Sequence, residues 1–237
     1  GGIITGSLAL LADAGHMFTD VAGVGLALYS IRLAQRPPTM ARSYGYYRAE
    51  ILAALANASV LIVVSLYILW EAYKRFREPP AVESGAMLVV AAIGLVVNLI
   101  GMWLLKGASS ESLNMKGAYY EVLSDMLTSL GVIAASIIML TTGWYYADPL
   151  VSAGIGLLIL PRTWRLLREA VGVLLEGTPT DVDVSALRVA LASVPGVLAV
   201  HDLHVWSLTS GTNAMSVHLA HIADAAPASL LRDVHDR

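Results

Sequence analysis

His16 and Asp20 stand four residues apart, as do Glu121 and Asp125, and each pair lies in a run apolar enough to sit within a bilayer. Imidazole nitrogen and carboxylate oxygen are both ligands for divalent metal ions. On an α-helix, positions i and i+4 differ by one turn and about 40° in azimuth, so each pair presents both side chains to one face. Two such faces brought together make a cage of four ligands. An ionisable group at membrane depth costs several kcal/mol and therefore faces a partner, a cavity or an ion path. Neither ligand-bearing stretch supplies a basic residue at mid-depth to pair with Asp20 or Asp125, so metal handling is the chemistry that employs all four. Asp13, one turn before His16, is expected near the outer interface and outside this primary site, and Asn57 and Asn98 read as interhelical hydrogen-bonding groups.

The elements that must position these residues are membrane helices. The 237-residue chain is 57% hydrophobic and 14% charged, with a mean hydropathy of +0.67, which is far more apolar than a soluble domain. Ile51–Trp70 and Ala86–Leu105 contain no Asp, Glu, Lys or Arg over twenty residues each, about the length that crosses a ~30 Å hydrocarbon core. Leu8–Ile31, Gly117–Leu140 and Tyr145–Leu166 are three further spans, the last interrupted by Pro161 and Arg162. Arg36-Pro37-Pro38, Glu78-Pro79-Pro80 and Gly107–Glu111 separate them. Without cysteine there are no disulfides or thiolate ligands, and a net charge of −3 gives no case for nucleic acid. Gly1-Gly2-Ile3-Ile4 lacks a start methionine or basic flank, so no cleavable signal is expected; these residues read as the tail of an earlier span that turns at Thr5-Gly6-Ser7.

Basic residues set an expected orientation. If the loop with Arg32, Arg36, Arg42 and Arg48 is cytoplasmic, alternation puts Lys106, Lys116, Arg162, Arg165 and Arg168 on the same side, against Lys74, Arg75 and Arg77 on the other. Residues 1–176 then form a transmembrane domain and residues 177–237 a cytoplasmic one. In the latter, Asp181–Ser193 has helical spacing, while Val197–Leu208 and Ala214–Ile222 alternate as the strands of a hairpin turning at Ser210–Asn213. Ala228–Arg237 is expected to begin another helix and to leave this domain incomplete at its end.

Three segments in order resemble the cation diffusion facilitators, proton-coupled exporters of zinc and related divalent ions. They are Thr5–Asp20 (TGSLALLADAGHMFTD), Ser43–Glu50 (SYGYYRAE) and His201–Trp206 (HDLHVW). The resemblance covers the whole chain. It implies a six-helix bundle, its first helix mostly absent here, followed by a cytoplasmic metallochaperone-like α+β domain, and a homodimer. It places the transport site at His16, Asp20, Glu121 and Asp125, and a cytoplasmic regulatory zinc site at His201 and His218 with help from residues beyond Arg237. It also implies that Arg48 and Glu176 form a charge interlock between protomers near the cytoplasmic surface. Arg42 and Tyr46 stand in the loop where some members hold a second ion with histidines, so that second site is expected to be missing. His204, His221 and His235 read as solvated surface.

One position departs from the family pattern: zinc-transporting members typically have histidine where this chain has Glu121. Carboxylates favour harder ions, and zinc accepts both ligand types. Zn2+ is the expected cargo, with Co2+, Cd2+, Fe2+ and Mn2+ as alternatives. Three carboxylates around a divalent ion leave a buried charge of −1, which Glu121 is expected to relieve by holding a proton. Metal arriving from the cytoplasm displaces protons from its ligands, and outward opening returns them, giving efflux driven by proton influx at the inner (plasma) membrane. No organic cofactor is implied. An intramembrane metallohydrolase would need a His-Glu-x-x-His signature, which is absent, so the chain is not read as an enzyme. A membrane-anchored metal sensor is the remaining alternative.

Overall fold

The computed structural model describes residues 1–108, 113–222, 231, 232 and 234. The break expected over Gly107–Glu111 lies largely outside them, as does His235 together with most of the helix expected from Ala228. The elements run α1 (Gly2–Thr5), α2 (Leu8–Ala34), α3 (Ala49–Arg77), α4 (Ser84–Ala108), α5 (Leu113–Thr142), α6 (Ala147–Leu174), α7 (Val184–Ala192), β1 (Val197–Thr209) and β2 (Thr212–His221). By length and composition, α2 to α6 each cross a membrane. At a rise of about 1.5 Å per residue, helices of 25 to 30 residues extend past the hydrocarbon at their ends. Hydropathy marks only the part in lipid, which is why the spans read from sequence fall short of the helices.

Two compact units divide the chain: Gly1–Gly25 with Ala56–Leu166, and Leu26–Leu55 with Leu167–Arg237. The core of the first joins Ala9, Leu10 and Ala12 with Ile68, Met87, Val132, Ala135, Met139 and Ile155. Small residues let the helices approach: a Cβ on Gly156 would meet the Leu69 side chain at 3.3 Å, and one on Gly23 would meet the Asn57 amide at 2.7 Å. The Asn98 amide donates to Ser129 Oγ at 3.3 Å, joining α4 to α5 as expected of interhelical glue. Large apolar groups such as Val63, Leu66, Trp70, Ile93 and Trp103 are exposed, as befits surfaces solvated by lipid.

A buried acid anchors the start of α2. Asp148 accepts from Ser7 Oγ at 2.6 Å and from the Leu8 and Ala9 amides at 2.9 and 3.1 Å, with Arg75 Nη1 at 3.6 Å. These amides are among the orphan donors of a helix N-terminus, so a carboxylate from another helix caps this one. Arg75 also donates to the Gly6 carbonyl at 2.6 Å, where Gly6 adopts φ +70°. The basic residues that run against the charge rule are therefore engaged locally: Arg75 here, Lys74 with Glu71 at 3.1 Å, and Arg77 with Tyr73.

Two sequence expectations require correction. Pro161 does not interrupt the last span; α6 continues through it to Leu174. A proline in a membrane helix forfeits one backbone hydrogen bond, a loss that neighbouring groups in a bundle absorb. The hairpin turn is also tighter than Ser210–Asn213, because Thr209 pairs with Thr212 and leaves Ser210 and Gly211 (φ +75°) as the connection.

In the second unit, Asp183 caps α7 by accepting from the Ser185 and Ala186 amides. β1 and β2 pair antiparallel with irregularities at His201/His204 and Ser207/Thr209. Glu50 at the start of α3 accepts from the Thr209 and Ser210 hydroxyls, at 2.5 and 3.1 Å.

Candidate metal site

α2 carries His16 and Asp20 one turn apart, and α5 does the same with Glu121 and Asp125. Packing turns the two faces toward each other. His16 Nε2 lies 3.6 Å from Asp20 Oδ2, 4.0 Å from Glu121 Oε1 and 3.8 Å from Asp125 Oδ1. These separations are too long for direct hydrogen bonds. They approach the edge of about 3.4 Å expected between ligands of a tetrahedral ion with metal–ligand bonds of about 2.1 Å. His16, Asp20 and Glu121 each offer a donor atom within 4.8 Å of the others, forming the one such group of three among the described residues; Asp125 joins it through His16.

Burial grades across the cluster. The His16 and Asp125 side chains are 13% and 12% exposed, Glu121 26% and Asp20 32%. Among the described residues, His16 Nδ1 and Asp125 Oδ1 are buried polar atoms with no hydrogen-bond partner. A buried acceptor without a donor is costly, so an oxygen left this way at a cluster of ligands fits a cation as its partner. Asp13 is held beside this cluster, where the Thr128 hydroxyl is placed to donate to Asp13 Oδ1 at 3.1 Å or to the Asp125 carbonyl at 2.8 Å.

One participant was not legible in the ligand-bearing helices. Arg162 of α6 pairs with Glu121, donating from Nη2 to Oε2. The absence of a basic partner read from the sequence holds only within α2 and α5; a third helix supplies one. In the sequence Pro161 and Arg162 together read as an interruption, and the continuous helix is what carries Arg162 to the acid.

The candidate residues of the hairpin form a different environment. His201 and His218 are cross-strand partners, which places them on one face of the ribbon. Both are exposed. Asp202 adopts φ +47° at the irregularity after His201, and its carboxylate lies 3.1 Å from His218 Nδ1, a neighbour that the spacing of the histidines did not reveal. His204 is exposed and lines the same cavity as Glu176 and Trp206, and His221 Nδ1 lies 2.8 Å from the Ile222 carbonyl.

Arg48 and Glu176 do meet: Nη2 donates to Oε1 at 2.7 Å. The pair closes within the one chain described. Glu176 occupies a left-handed position (φ +59°) after α6, with its own amide bonded to Val173 O and the Gly177 amide to Gly172 O. This is a Schellman ending with glutamate where glycine is usual. In the same unit the Arg42 guanidinium stacks on Tyr46, 4.5 Å from the ring centroid.

Comparison with known proteins agrees with this architecture. The family profile described as cation efflux transmembrane domain matches residues 1–175, and that described as cation efflux protein, cytoplasmic domain, matches residues 179–237. The metal cation efflux system protein CzcD of Cupriavidus metallidurans is 51% identical over 219 residues, covering 92% of this chain and 69% of the relative. A cadmium, cobalt and zinc/H(+)-K(+) antiporter of Bacillus subtilis is 44% identical over 220 residues (92% and 71%), and zinc transporter ZitB of Escherichia coli is 43% identical over 221 residues (92% and 70%). With five membrane helices among the described residues, an α+β segment after them and both profiles matched in order, the chain belongs to the cation efflux, or cation diffusion facilitator, family of metal transporters.

Proposed function

We propose that this protein exports Zn2+ in exchange for protons, holding the ion between His16, Asp20, Glu121 and Asp125. One observation carries the reading. A single imidazole nitrogen sits 3.6–4.0 Å from carboxylate oxygens contributed by two helices, at about the spacing of ligands around one small cation. Relatives named for zinc, and for cadmium, cobalt and zinc, support the choice of cargo class. Imidazole among carboxylates suits zinc, because zinc accepts nitrogen and oxygen alike.

Exchange follows from ligand chemistry. A metal ligand must be deprotonated, so ion loading releases protons and proton uptake expels the ion. The membrane part runs through Glu176 and the cytoplasmic part from Gly177, a division supported by profiles matching on either side of it. The protein works as a homodimer in the plasma membrane; the dimer is in keeping with its family of cytoplasmic domains, and the Arg48–Glu176 pair stiffens each protomer near their junction. His201 and His218 form a weak cytoplasmic site with Asp202 beside them. Transport of this kind makes and breaks no covalent bond.

Proteoliposomes with an imposed pH gradient test the reading. Zinc should move against protons in a fixed ratio, with cadmium, cobalt, nickel, iron and manganese ranked in the same assay. Zinc movement indifferent to the proton gradient would overturn the exchange mechanism.

A further inference from the structure

Arg162 is the only described cationic side chain paired with a candidate ligand, and it takes one oxygen of Glu121. Oε2 receives the guanidinium, while Oε1 is the atom that lies 4.0 Å from His16 Nε2. The two oxygens of this carboxylate thus have different partners. The Arg162 side chain is 61% exposed, and Glu121 at 26% and Asp20 at 32% form the more open side of a cluster in which His16 and Asp125 are 12–13% exposed. A partly exposed ion pair of this kind adds little to fold stability. Its effect falls instead on the charge and denticity of the cluster.

Charge comes first. Three ionised carboxylates and one guanidinium, which stays protonated in proteins, give −2 with neutral imidazole. The formal charge of a divalent ion then balances that of these four side chains and the imidazole. Denticity is the second consequence. A carboxylate with one oxygen engaged by arginine offers the ion its other oxygen alone, which favours four-coordination. Larger and harder ions prefer more oxygen ligands, often from bidentate carboxylates.

We infer that Arg162 is a specificity-determining residue, reserving Oε2 of Glu121 so that the site presents a one-oxygen glutamate and a charge matched to a small divalent ion. The inference rests on the four-ligand site proposed above. Arg162 does not itself touch the ion; it acts through Glu121.

The test measures zinc and manganese flux per dimer in proteoliposomes, with R162Q, E121H, the E121H/R162Q double variant and D125A beside the parent. R162Q should lower the zinc-to-manganese flux ratio about tenfold, a size within the range of coupling between contacting residues. With histidine at 121 there is no carboxylate to hold, and R162Q should then change the ratio by less than about twofold. Equal shifts in the ratio with Glu or His at 121, or no shift in either, overturn the inference. Full zinc flux by D125A instead overturns the underlying site, which keeps the two failures distinct. Should R162Q fail to reach the membrane, R162M carries the test by zinc and manganese binding to purified protein in detergent, where a parent-like affinity ratio overturns the inference.

Discussion

Asp148 and Asp125 are both buried acids of one helical unit, and their surroundings are opposite. Asp148 receives a hydroxyl and two amides, with a guanidinium at 3.6 Å, so its charge is spent on holding the start of α2. Asp125 Oδ1 has no donor and lies 3.8 Å from an imidazole whose other near neighbours are also carboxylates. A satisfied buried carboxylate belongs to the scaffold. One left facing other ligands retains capacity for a cation, because burial without a partner persists only where something else supplies it. Burial alone does not distinguish the two roles; the donors around each oxygen do.

The largest effects should separate these two acids cleanly. D125A is expected to abolish zinc flux while leaving a folded dimer, since it removes an unpaired buried carboxylate rather than a satisfied one. Size-exclusion profiles and per-molecule flux check this together, and a variant that loses expression but keeps its flux would erase the contrast. D148N should do the reverse, costing about 3–5 kcal/mol of stability by breaking a buried charge pair and placing an amide against donors. Thermal unfolding in detergent reads the loss, and whatever protein folds should still transport.

Smaller effects sharpen the comparison within the site. E121H should keep or raise zinc flux and reduce manganese flux severalfold, because nitrogen replaces oxygen in the ligand set. An unchanged ion ranking would mean that Glu121 does not face the ion. The hairpin supplies another contrast in environment: His201 and His218 are exposed, whereas His16 is 13% exposed. H201A/H218A is expected to remove weak zinc binding by the cytoplasmic part while changing flux less than about threefold, as exposed ligands compete with water and few partners surround them. Calorimetric zinc titration against flux on the same preparation checks both halves.

The smallest expected effect concerns Arg48 and Glu176. An exposed ion pair contributes about 0–1 kcal/mol, which offsets at most part of the roughly 1–2 kcal/mol that a left-handed glutamate costs. Reversing both charges should restore what either reversal alone removes, and strictly additive single effects on flux would show that the contact does not matter to transport.

Sequence by itself determined the membrane spans, the two i,i+4 ligand pairs, the order of helix then hairpin after Glu176, and the family. These are local properties: apolar length, helical periodicity, strand alternation and motif spacing are all written along the chain. Asn98 was legible for the same reason, since a lone amide in an apolar helix must find a partner across an interface. Only tertiary structure decided that α2 and α5 turn their ligand faces together. It also decided which carboxylates received donors and that Arg162 reaches Glu121. Asp148 is not legible from its sequence neighbours, because the hydroxyl and amides that donate to it lie about 140 residues away in the chain. From sequence, Arg162 reads with Pro161 as an interruption of the last span and as a cytoplasmic-side charge, whereas lipid leaves a backbone no alternative hydrogen-bond partner and keeps α6 helical through Pro161.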